Sequence, residues 1–170
     1  MNHKLAAGFG MSLLALAACA SDGGVESASN SSDVRAEIRN AGASVVATST
    51  AGAEANGVRV RVEAAGLAPG IYGVHVHAVG RCDPPGFESA GPHWNPTGNQ
   101  DGVQKPQGPH MGDLPNLQVG TDGAGSLEFV VAGARLADGS NRMLDDDGAA
   151  ILVHAGADDY RTDPSGNSGA

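Results

Sequence analysis

The chain has 170 residues, of which 41% are apolar, 17% charged and 4% aromatic. This length and apolar content allow one domain with a hydrophobic core, and 26 glycines with 9 prolines predict short elements joined by turns rather than a helical bundle. Nineteen acidic residues against ten basic ones give a net charge of -9, which excludes nucleic acid as a partner and opposes contact with an anionic membrane surface.

The N-terminal segment predicts export. Residues 1–18 contain Lys4 followed by a Leu- and Ala-rich stretch, which is typical of a secretory signal peptide and is shorter than the about 20 residues of a membrane-spanning helix. Residues 16–19 (LAAC) resemble the lipobox of bacterial lipoproteins, in which the cysteine becomes the acylated first residue. We therefore expect a periplasmic or envelope protein attached to a membrane only through a lipid on Cys19. The alternative is an ordinary signal peptide with a chance cysteine.

Residues 19–33 follow as a tether rich in Ser, Gly, Asn and Asp, too polar to bury a core. The domain proper is expected over residues 34–170.

The body of the chain predicts an all-β fold, because apolar residues alternate with period two. Asn56-Gly57 predicts a hairpin turn, after which Val58, Val60 and Val62 share one face of a strand. Further strands are expected where apolar residues alternate or cluster, at residues 72–77, at Leu127, Phe129 and Val131, and at residues 151–154.

Residues 80–113 form a long segment with six prolines and little periodicity. A loop of this length in a small domain is usually functional or disordered. Disorder is the weaker interpretation, since the loop carries Phe87, Trp94, Cys82 and two histidines that a solvated linker rarely contains.

Five histidines lie beyond the signal peptide. His75 and His77 flank one residue of a predicted strand, so their imidazoles leave the same face about 7 Å apart and can bind one ion. Imidazole suits copper, zinc, iron and nickel, and a nearby carboxylate such as Asp113, three residues after His110, favours a zinc-like site. The sequence shows no Ser, Cys or Lys beside a base of the kind that would indicate covalent catalysis. A redox or structural metal is therefore predicted.

Four segments, in order, resemble the copper/zinc superoxide dismutase family. Residues 73–77 (GVHVH) are similar to its Gly-x-His-x-His strand, and residues 89–96 (SAGPHWNP) to the segment with the metal-bridging histidine. Residues 110–116 (HMGDLPN) resemble its zinc-loop signature, and residues 152–159 (LVHAGADD) its last copper ligand with the neighbouring aspartate.

The resemblance implies an eight-stranded Greek-key β-barrel, related to β-sandwiches, that converts superoxide to dioxygen and hydrogen peroxide. It implies copper bound by four histidines. It also implies zinc bound by a second set of ligands, of which only part matches the family here and which shares the bridging histidine with copper. The implied copper ligands are His75, His77, His93 and His154, the implied zinc ligands include His93, His110 and Asp113, and Asp158 is implied to orient a copper histidine.

One implied zinc ligand departs from the family pattern, because Asp101 stands where the family has a histidine. A zinc site of His93, Asp101, His110 and Asp113 is still chemically allowed. An ionised Asp101 has no proton to donate to Asp158, however, and two facing carboxylates repel. We therefore expect altered zinc binding, with loss of zinc as the extreme outcome.

The resemblance ends at residues 166–170, which match the family segment just before an active-site arginine and a final strand. We therefore expect a barrel one strand short, which is either marginally stable or pairs its unpaired edges with another chain, for example in a homo-oligomer. Cys82 matches a cysteine that the family links to the final strand, and is expected to have no intramolecular partner. Arg161 would either replace the arginine in part or, the favoured interpretation, be a solvated loop charge.

Two functions follow from these residues. The first is a superoxide dismutase with copper and zinc, supported by the complete set of copper histidines. The alternative is a non-catalytic copper- and zinc-binding envelope lipoprotein on the same fold, supported by the missing arginine and by Asp101.

Overall fold

Seven β-strands form two antiparallel sheets in the computed structural model, which describes residues 33–169. The predicted signal peptide, Cys19 and nearly all of the tether lie outside these residues. Within them, no helix has the length and hydropathy needed to cross a membrane. The strands are β1 (Val34–Arg39), β2 (Val45–Glu54), β3 (Gly57–Ala65), β4 (Gly70–His77), β5 (Asp113–Val119), β6 (Ala124–Ala132) and β7 (Ala150–Val153), with one 3₁₀ turn at Glu88–Ala90.

The strand order defines Greek-key connections. One sheet has the order β1-β2-β3-β6 and the other β5-β4-β7. Strand β3 pairs with β6 rather than with its successor β4, and β5 packs against β6 from the opposite sheet. Strand β7 then returns to pair with β4. The β3–β6 and β4–β7 pairs each join strands that are three positions apart in chain order, which is the Greek-key pattern. The predicted all-β fold class is confirmed.

The alternation predicted for β3 matches the structure. Val58, Val60 and Val62 are buried in the core between the sheets, whereas Arg61 and Glu63 are exposed and form an ion pair. The hairpin turn lies one residue earlier than expected. Glu54 pairs with Gly57, so Ala55 and Asn56 form the turn and Gly57 already belongs to β3.

Strand β6 departs from a simple alternating pattern. Its register places Phe129 opposite Val60 and Val131 opposite Val58. Val131 is buried, but Phe129 is 38% exposed. The reason is that Phe129 lies beside a cavity of about 460 Å³ between β6 and the loop that carries Val103 and Pro109.

The long loop between β4 and β5 folds back onto the end of β4. His77 forms an isolated bridge with His93, the Trp94 N–H donates to Val76 O over 2.8 Å, and the Gly112 N–H donates to Trp94 O over 2.9 Å. Trp94 itself is buried in the core. This loop is therefore an ordered layer over the end of the sheet, as expected for a functional segment.

Candidate metal centre

Four histidines converge at the end of β4. One nitrogen from each of His75, His77, His93 and His154 lies within 4.8 Å of the corresponding nitrogens of the others, and all four residues are buried. The family resemblance predicts that these four histidines share one ion, and the structure brings their side chains together.

Strand β4 organises this cluster because it is the central strand of its sheet. His75 lies opposite Asp113 on β5 and opposite Leu152 on β7. His154 follows directly after β7, and its N–H donates to Gly73 O of β4 over 2.9 Å. The two neighbouring strands thus bring a carboxylate and a further imidazole to the His-x-His pair, while Val74 and Val76 fill the core.

Backbone carbonyls fix two of the rings. His77 donates from Nδ1 to Gly91 O and His154 donates from Nδ1 to Gly169 O, each over 2.7 Å. The two Nε2 atoms therefore carry lone pairs, and they face each other at 3.3 Å. Burial lowers the pKa of both His77 and His154 to about 4, so both rings are neutral at pH 7. Neutral imidazole is the form that binds metal.

The other two rings each leave one buried nitrogen without a partner. His75 Nε2 lies 2.7 Å from Asp158 Oδ2, which leaves its Nδ1 unsatisfied. His93 Nε2 is likewise buried without a hydrogen-bond partner. Buried polar atoms are rarely left unpaired in folded proteins. Four imidazole nitrogens that converge on one point are a donor set that fits a copper ion.

A second cluster adjoins the first through His93. Donor atoms of His93, Asp101, His110 and Asp113 all lie within 4.8 Å of one another, and all four residues are buried. His93 Nδ1 lies 2.9 Å from Asp113 Oδ1 and 3.2 Å from Asp101 Oδ1. His110 Nδ1 lies 3.3 Å from Asp113 Oδ1 and 3.5 Å from Asp101 Oδ1. Two imidazoles with two carboxylates suit zinc.

The two carboxylates of this cluster differ in their support. Asp113 Oδ2 accepts backbone N–H groups from Gly102 and His110, at 3.1 and 2.9 Å. Burial alone would raise the pKa of Asp113, but the hydrogen bond from His93 and the backbone donors lower it overall. Neither side-chain oxygen of Asp101 has a hydrogen-bond partner, and burial, with the Asp113 and Asp158 carboxylates, raises its pKa.

His93 thus presents opposite ring nitrogens to the two clusters, Nε2 to the histidines and Nδ1 to the carboxylates. Asp101 stands inside the second cluster, where the sequence placed it. Asp158 Oδ2 lies beside His75 Nε2 and its Oδ1 accepts the Tyr160 N–H, and the Asp158 charge is one of those that raise the pKa of Asp101.

Three supporting residues were missed by sequence reasoning. Asn116 donates to Asp158 O and accepts the Asp158 N–H, both at 2.9 Å, and Tyr160 Oη accepts the Asn116 N–H at 2.9 Å. Asp163 Oδ1 accepts the Asp101 N–H at 2.9 Å. The only available indication was that Asn116 and Tyr160 lie in or next to the quoted motifs.

Two further residues singled out by the sequence lie away from the donor atoms. Cys82 is exposed and forms no disulfide within residues 33–169. Arg161 is exposed and donates from Nε to Gln104 Oε1 over 2.6 Å. Its guanidinium belongs to the surface of the loop, in agreement with the favoured interpretation.

Fold and site together define a Greek-key protein with two adjoining clusters of potential metal ligands that share an imidazole. Comparison with known proteins gives the same class. Residues 41–170 match the model of the copper/zinc superoxide dismutase (SODC) family. Superoxide dismutase-like protein YojM of Bacillus subtilis is 45% identical over 116 residues, which cover 67% of this chain and 59% of that protein. A Cu-Zn superoxide dismutase of Deinococcus radiodurans is 37% identical over 168 residues, 92% of this chain and 86% of that protein.

Solved structures agree in architecture. The crystal structure of a SOD-like protein from Bacillus subtilis gives a TM-score of 0.76 at 38% identity, covering 80% of this chain and 92% of that one. The Cu/Zn superoxide dismutase of Brucella abortus gives 0.58 at 25% identity, covering 81% and 92%. The chain belongs to the copper/zinc superoxide dismutase family. Its cofactors are copper and zinc, for which the two donor sets are suited.

Proposed function

We propose that this protein dismutates superoxide at a copper ion held by His75, His77, His93 and His154, with zinc held by His93, Asp101, His110 and Asp113. The observation that supports this assignment is the shared ring of His93. Unpartnered buried donor atoms lie on both sides of it, nitrogens of His75 and His93 on one side and atoms of Asp101 and His110 on the other.

Copper bound there would supply reversible one-electron transfer, by which one superoxide is oxidised to dioxygen and a second, with two protons, is reduced to hydrogen peroxide. The protein's part is to hold the donors in one tautomer. One ring N–H of each of three histidines donates a hydrogen bond, to Gly91 O, Gly169 O or Asp158 respectively. The other nitrogen of each ring therefore keeps its lone pair. This preorganisation lowers the cost of assembling the site.

His93 is the residue we assign to proton transfer. Its Nε2 lies within the four-histidine cluster and makes no hydrogen bond to the described residues, while its Nδ1 faces Asp113. Nε2 cannot hold copper and a proton at once, so it would carry a proton only when it is free of the metal, and that proton would lie next to the site of peroxide formation. Because the ring is buried, that proton is shielded from bulk water until it is used.

The test is the rate of superoxide loss per copper for the protein loaded with copper and zinc. His77→Ala is the paired variant, because it removes one donor while Val74 and Val76 keep the core. We expect rapid dismutation by the native protein and loss of both copper and activity in the variant, with unchanged circular dichroism. Free copper is held by a chelator during the assay, and a fully loaded native protein that then removes superoxide no faster than its metal-free form would overturn the proposal.

A second candidate is a protein that binds copper and zinc without catalysis. One observation favours it: no Arg or Lys of residues 33–169 lines the cavity beside His77 and His154, and Arg161 is bonded to Gln104 instead. A cation at such a cavity would help to hold an anionic substrate. This candidate predicts full metal occupancy with no dismutation, so the same assay separates the two.

For its location we propose attachment to an envelope membrane through a lipid on Cys19. The support is the Leu- and Ala-rich stretch at residues 5–18, which ends in Leu-Ala-Ala and is followed directly by Cys19. Mass spectrometry of the mature N-terminus tests it. We expect a lipid mass on Cys19, and Cys19→Ser should release the protein from the membrane fraction. An unmodified N-terminus elsewhere would contradict the proposal.

A further inference from the structure

A cavity lies at the edge of the four-histidine cluster. This cavity has a volume of about 280 Å³ and contacts two of the four rings, His77 and His154. Its remaining walls come from the loop around the 3₁₀ turn Glu88–Ala90 and from the end of β7, and comprise Pro85, Gly86, Phe87, Glu88, Gly91, Leu152 and Val153. A small molecule or ion that reaches those rings through this cavity passes mainly apolar side chains.

Glu88 is the one carboxylate in this lining. Its two carboxylate oxygens lie against the bare α-carbon of Gly86, 2.5 Å from where a side chain at that position would begin. The glycine therefore makes room for the carboxylate at the cavity wall. No cation of residues 33–169 lies within ion-pair distance of Glu88.

The neighbouring charges are already compensated. Arg81 pairs with Asp83 in the same loop, and Arg39 pairs with Glu37 beside the adjoining groove that shares Phe87, Leu152 and Val153 with the cavity. Paired charges largely cancel at a distance, whereas a lone carboxylate does not. The cavity thus carries a net negative charge from Glu88.

We propose that Glu88 determines which small species enter the copper site, by opposing anions and favouring cations at the cavity beside His77 and His154. The inference rests on the assignment of copper to the four-histidine cluster. For the proposed dismutase it means that Glu88 slows the entry of superoxide. For the metal-free protein it means that Glu88 promotes the arrival of the copper ion itself.

The expected size of the effect follows from Coulomb's law. A unit charge about 3 to 10 Å from a small ion, at the dielectric of the water around an exposed side chain, changes its local concentration by about two- to tenfold. The effect must weaken with salt, because ions screen a partly exposed charge over about 10 Å at 0.1 M. Salt dependence therefore separates this role from a steric one.

The first experiment measures azide binding to copper- and zinc-loaded protein by its visible absorption. We expect Glu88→Gln to raise the azide association constant about two- to tenfold and Glu88→Lys to raise it further. Relative to Glu88→Gln, added salt should strengthen azide binding to the native protein and weaken binding to Glu88→Lys. The matched control is Glu63→Gln, which removes the same charge from β3 in the other sheet and should behave like the native protein.

The second experiment follows copper uptake by the metal-free protein in a stopped-flow instrument. Glu88→Gln should slow uptake by about two- to tenfold at low salt, and Glu88→Lys more. Equal azide affinities and equal salt dependence in the three proteins at matched copper content would overturn the inference. If the azide series holds while none of the proteins dismutates superoxide, the proposed catalysis fails and the role of Glu88 stands. If no variant takes up copper, the copper assignment fails, and this inference with it.

Discussion

His75 Nε2 lies 2.7 Å from Asp158 Oδ2, and both side chains are completely shielded from solvent. The other Asp158 oxygen accepts the Tyr160 N–H at 2.6 Å, and Asn116 bonds both backbone groups of Asp158. An aspartate held this rigidly as an acceptor keeps the His75 proton on Nε2. His75 Nδ1 therefore keeps its lone pair and is the nitrogen available to a metal. Nδ1 has no hydrogen-bond partner of its own, so the contact between Nε2 and Asp158 is what selects this tautomer.

Asp158→Asn tests this relationship. An amide has one accepting atom, so it can satisfy either His75 or the Tyr160 N–H and must turn its own NH₂ toward the other donor. We expect copper affinity to fall about ten- to a hundredfold, the range usual when a group that orients a ligand is lost. Competition with a copper chelator measures it. Asp138→Asn, an exposed change of the same chemistry, is the control, and equal affinities in both variants would contradict the role of Asp158.

The stability of the metal-free protein should change in opposite directions when Asp101 or Asp113 is replaced by Asn, although zinc binding should weaken in both. Either change to Asn should weaken zinc binding, since an amide oxygen is a poorer ligand than a carboxylate. In the metal-free protein, Asp101→Asn removes a buried carboxylate without hydrogen-bond partners and should leave the free energy of unfolding unchanged or raise it. Asp113→Asn disturbs a carboxylate that accepts two backbone N–H groups and should lower it, by about 1–3 kcal/mol.

The measurements are zinc competition and urea unfolding after metal removal. If Asp101→Asn destabilises the metal-free protein as much as Asp113→Asn does, the Asp101 carboxylate has a structural partner and the account of its burial is wrong.

Gly112 is the position where three segments meet. A methyl group there would lie 2.4 Å from Val76 O and 3.0 Å from the Trp94 backbone N and O. Gly112→Ala must push the loop away from β4, and we expect a loss of about 1–3 kcal/mol of stability, together with weaker binding of both metals. Gly66→Ala is the control, because its nearest neighbour would be 3.7 Å away and an ordinary contact. Similar melting temperatures for the two variants would sink the prediction.

Acid should unfold the metal-free protein through His77 and His154. Their pKa values are about 4 in the fold, against about 6.5 when unfolded, because burial opposes the charged ring. Between these values the unfolded chain binds more protons, so stability falls as pH decreases from about 6.5 to 4. Urea unfolding at a series of pH values checks this, and the loss should reach several kcal/mol for the pair. His77→Gln should flatten the curve, and a flat native curve would refute the prediction.

The strands could largely be predicted from the sequence, because a buried strand face imposes period two on its residues. The spacing of Val58, Val60 and Val62 is sufficient to place them on one inner face, and the His-x-His spacing places both histidines on one face of β4. The turn before β3 was misplaced by one residue because Asn-Gly is a strong hairpin pattern, whereas the register puts Gly57 within the strand. Phe129 shows the other limit, since exposure beside a loop leaves no trace in strand periodicity.

The site could be predicted only as a set of residues. The family motifs nominate His93, Asp101 and His110, but their loop has no periodicity, so the path that brings them together depends on long-range contacts such as those of Trp94 and Gly112. Asn116 and Tyr160 escaped notice because their roles arise from contacts across some forty residues of sequence. Asn116 bonds the backbone of Asp158, and the Tyr160 hydroxyl accepts the Asn116 N–H. Sequence spacing alone carries no information on such contacts.

The shared ring of His93 has a thermodynamic consequence. In the proposed ligand sets one imidazole serves both ions, so occupancy of either site would change the charge and the tautomer that the other site meets. Linkage then requires that zinc alter copper affinity by the same factor by which copper alters zinc affinity. The protein therefore has no single copper dissociation constant, but one for each zinc concentration, and the availability of one metal in the surroundings sets how firmly the other is retained.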